Sequence, residues 1–179
     1  MTEAPPATFP AAPLVPRLDP GGVEKAETLS LPPGLHGESG ASEPSNPLEA
    51  RVYFTHRTRE LGRLYRKRHD VELHMDVRSV EILQRHLAER FDGGELRTFD
   101  DFVEVRLHGA FLSELLARRL GAEWTDVAVS EMGYWAMNVP PGVAVWPIGR
   151  VLRFVTMQHK ERDLVSYFLE LQARAHGLK

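Results

Sequence analysis

The sequence predicts an α+β fold: a small antiparallel meander of three to four strands packed with four or five helices, preceded by a disordered tail. Three observations predict it. Ten of the 13 prolines fall within the first 47 residues, and proline blocks helix and sheet alike because it fixes φ and donates no hydrogen bond. From residue 49 to residue 120 apolar side chains recur mainly at helical spacing. From 123 to 146 they fall in three short β-type runs separated by turn residues. The chain therefore divides into a Pro-rich acidic tail over 1–48 and one α+β domain over 49–179, with a basic amphipathic helix at 49–68 and the core at 71–179.

The elements follow in order. Phe54, Leu61 and Tyr65, with Leu64 beside them, put one apolar face on a helix over 49–68 whose opposite face is rich in arginine. Val71, Leu73 and Met75 alternate with Glu72 and His74, which is strand spacing. Asp76 is placed to cap the next helix, with Ser79 inside its first turn. Val80, Leu83, Leu87 and Phe91 form that helix's stripe, and Asp92-Gly93-Gly94 ends it. A further helix starts near Thr98 or Asp100 and runs to Leu120, with Gly121 as its C-cap. It is apolar on most of its circumference and so belongs near the centre of the core. Gly109 interrupts it at a cost of about 1 kcal/mol relative to alanine, which the close approach of another backbone would explain.

Glu123–Val129, Gly133–Val139 and Val143–Trp146 read as the meander, with turns at Ser130–Gly133 and Pro140-Pro141-Gly142. Pro147 stands where a first-turn proline would. Ile148, Val151, Leu152 and Val155 give the next helical stripe, and Leu164, Phe168 and Leu171 give the last, on a helix from about Glu161 towards Gly177.

Composition excludes several chemistries. The 179 residues contain no cysteine, so disulfides and thiolate sites are out, which fits a reducing, cytoplasmic location. No apolar run approaches the roughly 20 residues of a membrane helix, and no secretory signal stands at the N-terminus. The net charge of −3 implies no partner by itself, but its distribution is uneven. Residues 1–50 carry seven acids and two bases, whereas residues 51–68 carry seven bases and one acid. An arginine-rich helix suits an anionic partner. The domain as a whole is not basic and the tail has nearly equal opposite charge, so an acidic protein face or self-association suits it better than nucleic acid bound through 51–68. Arg59, Arg63, Arg66 and Lys67 are the expected contact residues, joined by Trp135. The three tryptophans (Trp124, Trp135, Trp146) come one per predicted strand, and Trp135 shares a face with Met137 and Val139 that is either core or an interface.

No catalytic signature emerges. His69, His74 and Asp76 lack the i, i+4 spacing of a helical metal site, and no metal or cofactor is expected. Glu104 and His108, like Glu114 and Arg118, are four apart, a spacing that serves acid–base work at a pocket but equally an ordinary helix-surface pair. Ser113 sits mid-helix without a nucleophile elbow. There is no Gly-rich dinucleotide loop and no P-loop lysine. The leading expectation is thus a non-enzymatic interaction module (an adaptor, regulator or assembly subunit). The alternative is a small hydrolase or ligand-binding domain with a polar site around His108, Glu114 and Arg150.

From Val71 onward the chain resembles a small bacterial α+β domain of unknown function. The resemblance is carried by Asp76–Val80, by G-x-x-L-[GS]-E at Gly109–Glu114 and by L-G-x-x-W at Leu120–Trp124. Ser113 stands where that pattern often has glycine. The resemblance implies a hairpin, a strand ending at Pro147 and two helices, and it implies no reaction.

Overall fold

The computed structural model describes residues 44–125, 135–157 and 163–177. The tail as far as residue 43, the turn at 130–133 and the expected helix start at Glu161 lie outside them. No helix among the described residues is long and apolar enough to cross a membrane.

Helix α1 spans Pro47–His69. The Asn46 side chain accepts a hydrogen bond from the Glu49 N–H (3.0 Å), and the Glu49 carboxylate reaches back to the Ser45 N–H and hydroxyl. Proline at the first helical position sacrifices no hydrogen bond, so the helix starts at Pro47, inside the stretch that proline content had given to the tail. Phe54, Leu61 and Tyr65 are buried as expected. Asp70 takes a left-handed conformation (φ 53°) and ends the helix.

Residues 71–75 correct the first strand expectation. The alternation is present, with Val71, Leu73 and Met75 half-buried and Glu72 and His74 exposed, but no strand among the described residues pairs with this segment. Side chains and local turns take up its backbone polar groups instead. The His74 N–H donates to the Ser79 hydroxyl (2.8 Å), the Asp76 N–H to the His74 carbonyl (2.9 Å) and Arg119 Nε to the Met75 carbonyl (2.6 Å). An extended segment satisfied in this way needs no sheet.

Helix α2, Val77–Arg90, is capped by Asp76 and buries Ser79, Val80, Leu83 and Leu87. Helix α3, Phe99–Leu120, opens with a reciprocal pair: the Thr98 hydroxyl accepts from the Asp101 N–H while the Asp101 carboxylate accepts from the Thr98 N–H. Burial alone would raise the Asp101 pKa. The N–H groups of Arg97 and Thr98, with Arg90 at 2.6 Å, hold it below the ordinary aspartate value. Gly121 closes the helix in the left-handed region (φ 68°). Every residue from Leu107 to Ser113 is buried, because α3 is packed by α1, α4, α5 and the sheet.

The sheet has three strands among the described residues: β1 (Glu123–Trp124), β2 (Met137–Val139) and β3 (Val143–Val145). They are antiparallel in the order β1-β2-β3, with Trp124 opposite Met137 and Val139 opposite Val143. The β2–β3 turn falls at Pro140–Gly142 as expected, with Gly142 at φ 122° donating to the Val139 carbonyl. Met137, Val139 and Val145 face the helices, whereas Asn138 and Ala144 face out. Helix α4, Pro147–Thr156, buries Ile148, Val151, Leu152 and Val155. Helix α5, Leu164–Ala175, buries Leu164, Phe168 and Leu171, and the Gln84 side chain of α2 accepts its Leu164 N–H (2.6 Å).

The mid-helix glycine has the expected cause. A Cβ on Gly109 would lie 2.7 Å from Ile148 Cα and 2.8 Å from its Cγ1. Alanine there is the better helix former by roughly 1 kcal/mol, but it must push the α4 backbone away. Gly109→Ala should therefore lower the free energy of unfolding by about 2 kcal/mol. Urea denaturation measures it, and a variant as stable as the parent would mean that α3 and α4 are free to separate.

Candidate functional site

Two surfaces of α1 concentrate the polar side chains singled out in the sequence. On its outward side Leu48, Val52, His56, Arg59, Arg63 and Lys67 follow one another at three- and four-residue steps, opposite the buried Phe54, Leu61 and Tyr65. Leu48 is 71% and Val52 66% exposed, and they head the exposed large apolar side chains among the described residues. Arg59, Arg63 and Lys67 are exposed and make no hydrogen bond or ion pair among the described residues. Arg66 meets Glu72 at 2.6 Å in an ion pair open to water at both ends, an arrangement worth at most about 1 kcal/mol. Arg57 differs: it lies over the Tyr53 ring (5.1 Å) and bonds Glu60 (2.9 Å).

Trp135 does not join this surface. It is 4% exposed, packs with Ala50, Phe54, Ala110 and Ile148, and meets Trp124 edge-on at 6.4 Å. Its shared face with Met137 and Val139 is the inner one, since β2 presents that face to α3.

His108, Glu114 and Arg150 are not brought together. The Glu114 carboxylate accepts from the Thr55 hydroxyl of α1 (2.9 Å) and from Arg118 (2.6 Å). Arg150 lies over the Tyr167 ring of α5, 4.9 Å from its centroid. The Ser113 hydroxyl donates to the Gly109 carbonyl one turn back. His108 also meets α1, but at Tyr65, ten residues along that helix from Thr55.

There, between α1, α2 and α3, lies a cleft of about 690 Å³. Its apolar wall is Leu61, Leu64, Val103 and Leu107. Its polar wall is a group of rings: Tyr65 stacks on His86 (5.2 Å), His86 meets His69 at a tilt (4.4 Å), and Tyr65 meets His108 edge-on (5.7 Å). Arg68, Arg90, Glu89, Asp100 and Glu104 complete the lining. The candidate trio of His69, His74 and Asp76 is thereby split, since His74 is exposed beside Ser79 while His69 joins this cleft. Among the described residues no group of three or more His, Asp or Glu is placed to hold a metal ion.

Hydrogen bonds fix the proton on His108. Its Nδ1 lies 2.7 Å from the Glu104 carbonyl, which can only accept, so Nδ1 carries the proton. Nε2 is then an acceptor, and the Tyr65 hydroxyl donates to it (2.8 Å). Burial pushes the His108 pKa down from its ordinary 6.5 to about 4. Burial pushes the Tyr65 pKa up and also raises that of Glu104. His86 is lowered, first by burial and then by His69. Both nitrogens of His108 are thus committed, and this residue is a packing element of the cleft wall.

His86 was not singled out in the sequence. Its only signal is position: it follows Leu83 by three residues, at the edge of the α2 stripe, as His69 follows Tyr65 by four on α1.

Compared with protein-family models, with curated proteins and with solved structures, the chain matches none of them. The resemblance on Gly109–Glu114 and Leu120–Trp124 rests on those short motifs, and each has a local structural cause. Gly109 admits Ile148, Gly121 caps α3, and Trp124 stacks on Phe54 at 4.6 Å.

A neutral buried histidine makes folding sensitive to acid. Its folded pKa lies below the unfolded value, so the unfolded chain takes up the proton first. Stability is full above about pH 6.5 and is lost as pH falls towards 4. The expected loss from His108 is about 3 kcal/mol. In urea titrations from pH 7 to pH 4, His108→Leu should lose about 3 kcal/mol less than the parent, although it is less stable at pH 7. Equal losses in the two proteins would show that His108 does not resist protonation.

Proposed function

We propose that this protein is a non-enzymatic interaction module, an adaptor, regulator or assembly subunit, that offers the outward face of α1 to an acidic and partly apolar protein partner. One observation carries the reading: a single helix face exposes Leu48 and Val52 at one end and, along the rest, Arg59, Arg63 and Lys67, which have no ion-pair partner among the described residues. Large apolar side chains left in water beside fixed like charges suit a surface completed by another molecule. An acidic amphipathic segment matches both halves, and residues 1–43 of this chain would supply further contacts to the partner. The absence of a shared setting for His108, Glu114 and Arg150, together with the internal commitments of Ser113 and Glu114, weighs against the hydrolase alternative.

The test uses charge reversal on a folded background. Arg59→Glu with Arg63→Glu should leave the thermal midpoint within about 2 °C of the parent, since exposed substitutions shift stability little. The same pair should weaken binding of an acidic amphipathic peptide by about tenfold or more. Leu48→Ser with Val52→Ser should weaken it by a similar factor. Unchanged peptide affinity in both double variants would refute the reading. So would tighter binding of a DNA or RNA oligonucleotide than of the peptide, with the steep salt dependence of phosphate contacts.

A further inference from the structure

The cleft between α1, α2 and α3 faces away from the proposed contact surface, because Leu61 and Tyr65 line it from the opposite side of α1. Its volume of about 690 Å³ falls within the range of small-ligand sites. The hydrogen-bond character of its walls follows from the protons already placed. Tyr65 gives its hydroxyl proton to His108 Nε2, so its oxygen presents lone pairs, and no donor among the described residues fills them. His86 Nδ1 is buried without a hydrogen-bond partner; with the ring proton on Nε2 it is a second acceptor. The Glu104 carboxylate is a third, since the Arg90 guanidinium stands 3.6 Å from it and spends its short bond on Asp101 at 2.6 Å. Glu104 and Tyr65 are near enough for the charge of one to act on the other. Three acids in the lining, Glu89, Asp100 and Glu104, outnumber the two arginines, Arg68 and Arg90.

A wall that presents three acceptors with capacity to spare, and one more acid than arginines, suits a further cationic donor. We propose that the cleft binds a small protonated amine carried on an apolar body. The ammonium donates to the Glu104 carboxylate, the Tyr65 oxygen and His86 Nδ1. The apolar body rests on Leu61, Leu64, Val103 and Leu107. A carboxylate ligand would be repelled by Glu104, and a neutral alcohol would add no charge to the long Arg90–Glu104 pair.

The site is independent of the interaction reading, and its test leaves the outward face of α1 intact. The full-length protein is titrated with phenethylammonium, with phenethyl alcohol and with 3-phenylpropionate, while the imidazole resonances of His69 and His86 are followed by NMR. The ammonium should bind saturably and shift both histidines, with the alcohol and the carboxylate weaker by about tenfold or more. Glu104→Gln should weaken the ammonium by about tenfold, and His86→Phe, which keeps a ring in the stack, should weaken it also. The thermal midpoint and the one-dimensional spectrum report whether each variant is folded; if Glu104→Gln does not fold, His86→Phe decides. Absence of any shift up to about 10 mM ammonium overturns the proposal. So does an alcohol or carboxylate that binds as tightly as the amine, or undiminished ammonium binding in the folded variants.

Discussion

The contact between Gly109 and Ile148 is the constraint on which the rest of the structure depends. A residue without a side chain lets α4 lie with its backbone against α3, and the first turn of α4 then fills the space a Cβ would occupy. With α4 that close, α1, α5 and the sheet can cover the remaining sides of α3, which explains why Leu107–Ser113 are all buried. Burial on every side leaves polar residues of that stretch no water. Ser113 therefore bonds back to the Gly109 carbonyl, and His108 spends one nitrogen on Glu104 and the other on Tyr65. Two side chains of the types used in catalysis thus have their hydrogen bonds dictated by packing.

Much of the fold was legible in the sequence because its boundaries are written in local chemistry. Thr98, Asp76, Gly121 and Pro147 act within one helical turn of themselves, so their meaning does not wait on tertiary structure. Gly109 was legible as an anomaly, since a costly residue at mid-helix needs a reason. Val71–Met75 misleads, because alternation reports which side chains are covered and not what meets the backbone. Here Ser79 and Arg119 take the place of a strand. Trp135 was ambiguous for a related reason: both faces of a short apolar strand look alike until the helices choose one.

The candidate site was legible only in part. The outward row of α1 follows from helical geometry, so Arg59, Arg63 and Lys67 could be named in advance. The cleft could not. His69, His86 and His108 come from three helices, and their meeting depends on how α1 and α2 cross α3. His86 differs from any half-exposed surface histidine only after Tyr65 is stacked on it.

The structure also alters the meaning of the basic run at 51–68. Counted in sequence, seven bases against one acid suggest a strongly cationic surface. In the fold they separate by orientation. Arg57 is held by Tyr53 and Glu60, Arg66 faces Glu72, and Arg68 lines the cleft. What remains outward is the row Arg59, Arg63 and Lys67, with Arg51 exposed beside Val52, fewer charges than the multi-phosphate contacts that hold nucleic acid at physiological salt. Exposed charges in such number steer encounter and exclude wrong partners more than they generate affinity. In the proposed reading affinity comes from apolar contact, for which the same helix face supplies Leu48 and Val52 at its N-terminal end. A partner that reads this helix should therefore be recognised along its length by charge and held at one end by burial of those two side chains.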